Sequence, residues 1–142
     1  MNIKNMSLSF IEARRYSKQS KPTNIRIDHN STVTLFTATS KEEAQVEFEY
    51  TASYGPLGLI KFGGNLIYEG KDAEEVAKKW QETKNMPNEL ASHIHTAIMH
   101  FCLPEAVMVS RDLRLPPPIP MPQVKFEQQP KGKKGRYSPE VV

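Results

Sequence analysis

The sequence predicts an α+β fold, with strands in the first half of the chain and helices in the second half. Three observations support this prediction. Apolar and polar residues alternate in four stretches up to Tyr68, which is typical of half-buried strands. From Asp72 onward the apolar spacing is that of helices. The links between strands are short, which favours antiparallel pairing because a parallel crossover needs about a dozen residues or more.

Two alternating stretches near the N-terminus predict the first two strands. The apolar positions of the first stretch are Met6, Leu8 and Phe10. Those of the second stretch are Ile25, Ile27, Val33 and Leu35. Asn30-Ser31 interrupts the second alternation, so we expect a break in this strand at that point.

The third predicted strand has the cleanest alternation in the chain. Its apolar positions are Val46, Phe48 and Tyr50. Glu47 and Glu49 lie between them, so one side of the strand should be buried and the other should face solvent. The two glutamates are therefore interpreted as an exposed sheet face and not as a catalytic acid pair. Gly55-Pro56 then predicts a turn.

The fourth predicted strand, within Leu57–Tyr68, contains a double glycine. Apolar residues of one parity flank the pair, namely Ile60, Phe62, Leu66 and Tyr68. Gly63 and Gly64 indicate either a bulge or a place where another chain approaches the backbone closely. We expect the pair to be structural, with a positive φ if it forms a bulge in this strand.

The first predicted helix begins at Asp72. This residue is the expected N-cap, and Glu74 and Glu75 lie in the first turn, where the helix dipole favours negative charge. The apolar stripe of the helix consists of Val76, Ala77 and Trp80. Pro87 should close the helix.

The second predicted helix has one apolar face and a proline-rich end. The face consists of Leu90, Ile94, Ala97, Ile98 and Phe101. Pro104 is expected to interrupt the helix, and the prolines from Pro116 onward forbid further helix. They favour an extended run that packs on a sheet, on another subunit or on an extended ligand.

Composition divides the chain into a domain, residues 1–124, and a tail, residues 125–142. The domain has equal numbers of acidic and basic residues, whereas the tail has five Lys and Arg against two Asp and Glu. The tail therefore carries the whole net charge of +3, and its composition predicts disorder. It either solubilises the chain or contacts the phosphates of RNA or the ribosome weakly.

The sequence contains no motif for catalysis, nucleotide binding or metal binding. The glycine-rich stretch at 55–64 lacks the Gly-Lys-Ser/Thr ending of a phosphate loop. His93 and His95 are two residues apart and face different sides of a helix. Cys102 has no identifiable base partner and is interpreted as a small core residue. We therefore expect neither an enzyme nor a cofactor.

The expected compartment is the cytoplasm. Met1–Ser9 has no continuous apolar region, so no signal peptide is predicted. No apolar run approaches the roughly 20 residues that a membrane-spanning helix needs, so no membrane insertion is expected. The single cysteine rules out an internal disulfide and is compatible with a reducing environment.

Short motifs, taken in order, resemble the SecB family of export chaperones over about residues 6–122. The first is Phe10, Arg14, Tyr16, Ser17 and Lys18, similar to the family's opening Phe-x3-Arg-x-Tyr-Thr-Lys. VEFEYTASY at 46–54 and FGGNLIYEG at 62–70 are similar to its third and fourth strands. Pro87-Asn88 and Leu90 resemble the opening of its long helix, and a Leu-Pro segment follows that helix in both.

The resemblance implies a four-stranded antiparallel sheet with helices on one side, assembled as a dimer of dimers. It implies an ATP-independent holdase for unfolded or precursor polypeptides. The family is typically acidic, whereas residues 1–124 are neutral, and this departure fits an archaeal-type or toxin–antitoxin-associated relative. The candidate polypeptide-binding residues are Leu59, Phe62, Leu66, Tyr68, Ile98 and Phe101. A plain core role remains open for each of them, since cores and grooves share the same composition.

A second function comes from a different class. The chain would be a small ribosome- or RNA-associated protein that uses its basic tail. The neutral charge of residues 1–124 argues against it, because a nucleic-acid-binding domain usually carries a basic stripe.

Overall fold

The computed structural model describes residues 2–16 and 25–120. The strands are β1 (Asn2–Arg15), β2 (Asp28–Ala38), β3 (Glu43–Ser53) and β4 (Gly58–Glu69), and the helices are α1 (Ala73–Thr83) and α2 (Asn88–Asp112). The strands form one antiparallel sheet in the order β1-β4-β3-β2, and both helices pack against it. The predicted α+β fold is confirmed. Residues 121–124 of the predicted domain and the tail at 125–142 lie outside the described residues.

The core lies between one face of the sheet and the two helices. The alternating residues of β3 and β4 supply the sheet side, namely Ala44, Val46, Phe48, Tyr50, Ala52, Ile60, Phe62, Leu66 and Tyr68. The helices supply Val76, Ala77, Trp80, Leu90, Ile94, Ile98, Cys102 and Ala106. The predicted stripe of α1 is therefore confirmed, as is the core position of Cys102.

The other face of the sheet carries the charged side chains of β3 and their partners, together with half-buried apolar residues such as Ile67. Glu47 is exposed, and Glu49 lies 3.5 Å from the ammonium of Lys61 on β4. Lys4 on β1 reaches Glu43 at 3.0 Å and Glu69 at 2.6 Å. These contacts confirm the interpretation of the β3 glutamates as an exposed sheet face.

The double glycine in β4 does not form the bulge that the sequence predicted. Neither Gly63 nor Gly64 has a positive φ, and β3 pairs with β4 without a register shift. The bulge lies in β1, where Ser9 is the extra residue between the pairs Leu8–Gly64 and Phe10–Gly63. The predicted bulge in the fourth strand is therefore wrong, although the irregularity lies directly opposite the pair.

The bulge in β1 makes the glycines necessary through close approach. It turns Phe10 to the outer face of the sheet, so that its ring covers Gly63 where a Cβ would stand. A Cβ on Gly64 would meet the carbonyl oxygen of Ser7 and the ring of Phe48. The close approach expected as the second alternative is therefore present, but it comes from β1 of this chain and not from another chain.

The second strand also differs from the prediction. It begins at Asp28, so Ile25 and Ile27 precede it. Asn30-Ser31 pairs regularly with β3, and the register shifts instead between Val33 and Leu35. The shift buries Phe36 in place of Leu35, because one extra residue moves the following side chains to the opposite face.

The first helix starts where predicted but is capped differently. Asp72 occupies the N-cap position, yet its carboxylate accepts a hydrogen bond from the Tyr68 hydroxyl at 2.6 Å. The helix ends at Thr83, before Pro87, because Lys84 adopts the left-handed conformation with φ 60°. Its backbone N–H then donates to the Trp80 carbonyl at 2.7 Å, which closes the last turn.

The second helix runs through Pro104, so the predicted interruption is wrong. A proline inside a helix costs about 3 kcal/mol or more. Here Pro104 lies on the exposed side, while core residues anchor the turns before and after it. The buried residues follow every fourth position: Leu90, Ile94, Ile98, Cys102, Ala106 and Ser110. Phe101, predicted on the apolar face, is 37% exposed.

The segment after α2 has no helix, as predicted, and packs on the end of the sheet. Arg15 donates to the carbonyl oxygens of Leu113 at 3.3 Å and Arg114 at 2.7 Å. The hydroxyl of Tyr54 donates to the carbonyl of Pro116 at 2.6 Å, and burial raises the pKa of Tyr54 to about 12. The sequence left three packing partners open for this segment. Its described contacts show packing on the sheet.

Candidate binding site

An open groove of about 550 Å³ lies beside β2, at one edge of the sheet. We call it the β2 groove. It is lined by Ser31, Thr32, Val33, Thr34, Trp80, Lys84, Met86 and His95. These residues come from β2, α1, the link between the helices and α2. The volume falls within the range of about 300 to 1,000 Å³ that is usual for ligand sites.

The turn after α1 shapes one wall of the groove. Trp80 lies on the buried stripe of α1 and is 6% exposed. The left-handed residue Lys84 folds the chain back, so that its ammonium lies 4.3 Å from the centroid of the Trp80 ring. The two residues form a cation–π pair at the rim of the groove.

The opposite wall combines β2 with the start of α2. Nδ1 of His95 lies 2.5 Å from the hydroxyl oxygen of Ser31. Val33 and Met86 are half-buried and add apolar surface, whereas Thr32 and Thr34 are exposed. The groove is therefore apolar inside and polar at its rim, which is the usual composition of a binding site.

The backbone of β2 is available beside this groove. Within the described chain, β2 pairs only with β3 and leaves its other edge without a partner strand. Phe36 is an exception to this availability, because its carbonyl accepts a hydrogen bond from the Gln81 side chain at 3.3 Å. A strand edge next to an apolar groove is the arrangement that binds an extended peptide by strand addition.

A second apolar surface lies on the side of α2 that faces away from the sheet. Phe101 and Met108 are 37% and 61% exposed, and Pro104 lies between them. We call these residues the α2 outer strip. The helix therefore presents apolar side chains on two sides, one toward the core and one toward solvent.

A third apolar surface lies along β1, the other edge of the sheet. Ile11 and Tyr16 are 50% and 54% exposed. They border a shallow groove of about 300 Å³ that also contains Leu59. β1 pairs only with β4 among the described strands, so its outer edge has no partner strand either.

The structure separates the six residues that were predicted to bind polypeptides. Phe62, Leu66, Tyr68 and Ile98 are at most 1% exposed and belong to the core. These four residues therefore pack as core residues, which is the alternative that the sequence left open for each of them. Leu59 lines the groove beside β1, and Phe101 lies on the α2 outer strip. A role of these two residues in polypeptide binding stays a prediction.

The residues that line the β2 groove do not stand out as a group in the sequence. Periodicity places Trp80 on the apolar stripe of the first helix and indicates no role for Met86. Trp80 and Lys84 are four apart at a helix end, which is the spacing at which two side chains meet. That pair was the available signal, since an aromatic ring and a lysine at this spacing form a cation–π contact.

Cys102 is a free and buried cysteine. Burial raises the pKa of the Cys102 thiol to about 12, so its reactive thiolate is scarce at neutral pH. Residues 2–16 and 25–120 contain no group of three or more His, Cys, Asp or Glu that could hold a metal ion. Neither helix of this part is long and apolar enough to span a membrane.

A structural comparison identifies a protein with the same fold. The chain aligns with the SecB-like chaperone Rv1957 of Mycobacterium tuberculosis, solved in complex with a ChAD peptide from the Rv1956 HigA1 antitoxin. The TM-score is 0.56 at 12% identity, and the alignment covers 87% of this chain and 89% of that chain. No protein-family model and no curated protein matches the sequence. The chain therefore has a SecB-like fold.

Proposed function

We propose that the chain is an ATP-independent chaperone that binds unfolded or extended polypeptides in the cytoplasm, as the resemblance to SecB suggests. The observation that carries this proposal is the exposed apolar surface beside the outer edges of β1 and β2, which have no partner strand within residues 2–16 and 25–120. The SecB-like fold supports it. The structural neighbour is a chaperone bound to a peptide, which is consistent with the same role here.

An extended client would bind in two ways at once. Its backbone would hydrogen-bond to the free edge of β2, and alternate side chains would enter the β2 groove. Burying one large apolar side chain contributes about 1.5 to 3 kcal/mol before ordering costs. One groove therefore binds weakly, and useful affinity needs several grooves that act on the same client.

Oligomerisation would supply those grooves. We propose a homotetramer built as a dimer of dimers, in which the α2 outer strip and the β1 edge form contacts between subunits. Closed symmetric assemblies cover exposed strand edges and apolar strips without starting fibres. The β2 grooves would then stay open to clients.

The test is suppression of aggregation. The full-length protein, without nucleotide, should reduce light scattering from a chemically unfolded, unrelated protein at about equimolar subunits, since each groove binds one segment weakly. Met86→Glu places a carboxylate in the β2 groove and should weaken the effect. Asn85→Glu adds the same charge at the neighbouring exposed residue, which does not line the groove, and should leave the activity intact.

Removal of residues 125–142 separates the chaperone from the RNA-binding alternative. A chaperone keeps its activity without the tail, because the described core and grooves lie before residue 121. If the folded full-length protein leaves aggregation unchanged and binds RNA in a tail-dependent manner at physiological salt, the ribosome-associated function replaces the proposed one.

A further inference from the structure

We infer that the β2 groove selects extended segments in which an apolar residue is followed, two positions later, by a residue with a side-chain carboxylate. This inference rests on the proposed function and adds a charge preference to it. In this inference, the apolar part of the groove contacts one client side chain. Lys84 and His95 contact the next client side chain on the same face.

The charge of the groove points to this preference. Lys84 and His95 are among its eight lining residues, and no Asp or Glu is. None of the ion pairs among residues 2–16 and 25–120 involves Lys84. By contrast, Lys4 and Lys61 on the sheet are both within 4.0 Å of glutamates. The ammonium of Lys84 is therefore available to a carboxylate that enters the groove.

The position of that ammonium is also held. The backbone of Lys84 is fixed by its hydrogen bond to Trp80 and by its left-handed conformation, and its side chain lies over the Trp80 ring. A lysine that is already restrained loses less conformational entropy when it pairs with a ligand than a free surface lysine does. The cation–π contact thus presents the charge at the mouth of the apolar groove.

His95 provides a second polar group on the same rim. Its Nδ1 is engaged with Ser31, so Nε2 is the ring nitrogen left for a ligand. When the Ser31 hydroxyl donates to Nδ1, the proton lies on Nε2, which then donates a hydrogen bond to a carboxylate oxygen. With His95 in that tautomer, the groove presents the Lys84 ammonium and a hydrogen-bond donor, which together suit a carboxylate.

Strand geometry sets the spacing of the two client residues. In an extended segment, side chains at i and i+2 point to the same side and lie about 6.8 Å apart. A segment added to the edge of β2 would place its apolar residue against Val33 and Met86. The residue two positions along would then reach the rim with Lys84.

Trp80 makes the test direct, because it is the only tryptophan in the chain and it lines the β2 groove. Two tryptophan-free peptides, capped at both ends, would share one sequence except for Asp or Lys two positions after a leucine. Titration of the full-length protein, followed by Trp80 fluorescence at low salt, should show about fivefold tighter binding of the Asp peptide. The difference should shrink in high salt.

Variants at Lys84 assign the preference to this residue. Lys84→Gln should bind both peptides about equally, and Lys84→Glu should prefer the Lys peptide. Lys78→Gln removes an exposed lysine from α1 that does not line the groove, and it should keep the wild-type preference.

The outcomes separate this inference from the proposed function. Equal binding of both peptides, or a preference that survives Lys84→Glu, overturns the charge selection and leaves the chaperone proposal standing. If neither peptide changes Trp80 fluorescence while aggregation is still suppressed, the β2 groove is not the client site and the inference falls. If aggregation is not suppressed either, both proposals fail.

Discussion

Replacement of Gly64 by alanine is expected to lower the free energy of unfolding by about 2 to 3 kcal/mol. The added Cβ would meet the backbone carbonyl of Ser7 and would lie 2.7 Å from Cζ of Phe48. A backbone carbonyl in a paired strand has no rotamer to adopt, and Phe48 is packed in the core. The strand β1 would have to move away from β4, and the pairs around Leu8 would be lost.

Gly63→Ala is the matched control one residue earlier. The three atoms nearest to its Cβ would all belong to the ring of Phe10, which is half-buried on the outer face of the sheet and, unlike a backbone carbonyl, can rotate away. The expected cost is about 1 kcal/mol. Urea denaturation of the two variants measures both values. A Gly63 variant that is as unstable as the Gly64 variant would contradict this account of the double glycine.

Two charges on the α2 outer strip are expected to dissociate the proposed homotetramer. In Phe101→Glu/Met108→Glu, both substituted residues are exposed in the subunit, so the fold should be retained. Burial of a carboxylate at a subunit contact is costly, and the apparent mass at micromolar concentration should fall at least about twofold. Light scattering measures the mass, and circular dichroism checks the fold.

A single substitution on α1 controls for net charge. Lys78→Glu lowers the net charge by two, as the double variant does, but it changes an exposed residue on another helix. This variant should keep the wild-type mass. If the double variant also keeps it, the α2 outer strip is not a subunit contact and the proposed assembly needs another surface.

The sheet shows how far alternation predicts structure. The buried and exposed positions of β3 follow directly from the sequence, because this strand has no irregularity and pairs on both sides. β1 and β2 contain register shifts that the pattern does not reveal. One extra residue reverses the face of every later side chain, so Phe10 and Leu35 were placed on the wrong side.

The second helix shows the opposite limit. Pro104 predicts a break from local preference alone, but burial of Ile98, Cys102 and Ala106 along one line outweighs the lost hydrogen bond. The same packing turns Phe101 outward. Periodicity placed Phe101 on the apolar face of the helix. Only the contacts of the helix with the sheet determine which apolar residues remain exposed.

The β2 groove could not be predicted, because its residues come from four separate parts of the chain. The left-handed turn at Lys84 brings these parts together, and lysine carries no particular preference for that conformation. Most of the polypeptide-binding residues predicted from the sequence lie instead on the most apolar strand. Such residues are usually the first to be buried, as Phe62 and Leu66 are here.

The most direct test of the chaperone proposal is native mass measurement of the full-length protein, alone and with a chemically unfolded client. We expect a homotetramer that gains the mass of the client without nucleotide, because several weak grooves act together on one chain. A folded monomer whose mass is unchanged by excess unfolded client would contradict both the assembly and the proposed function.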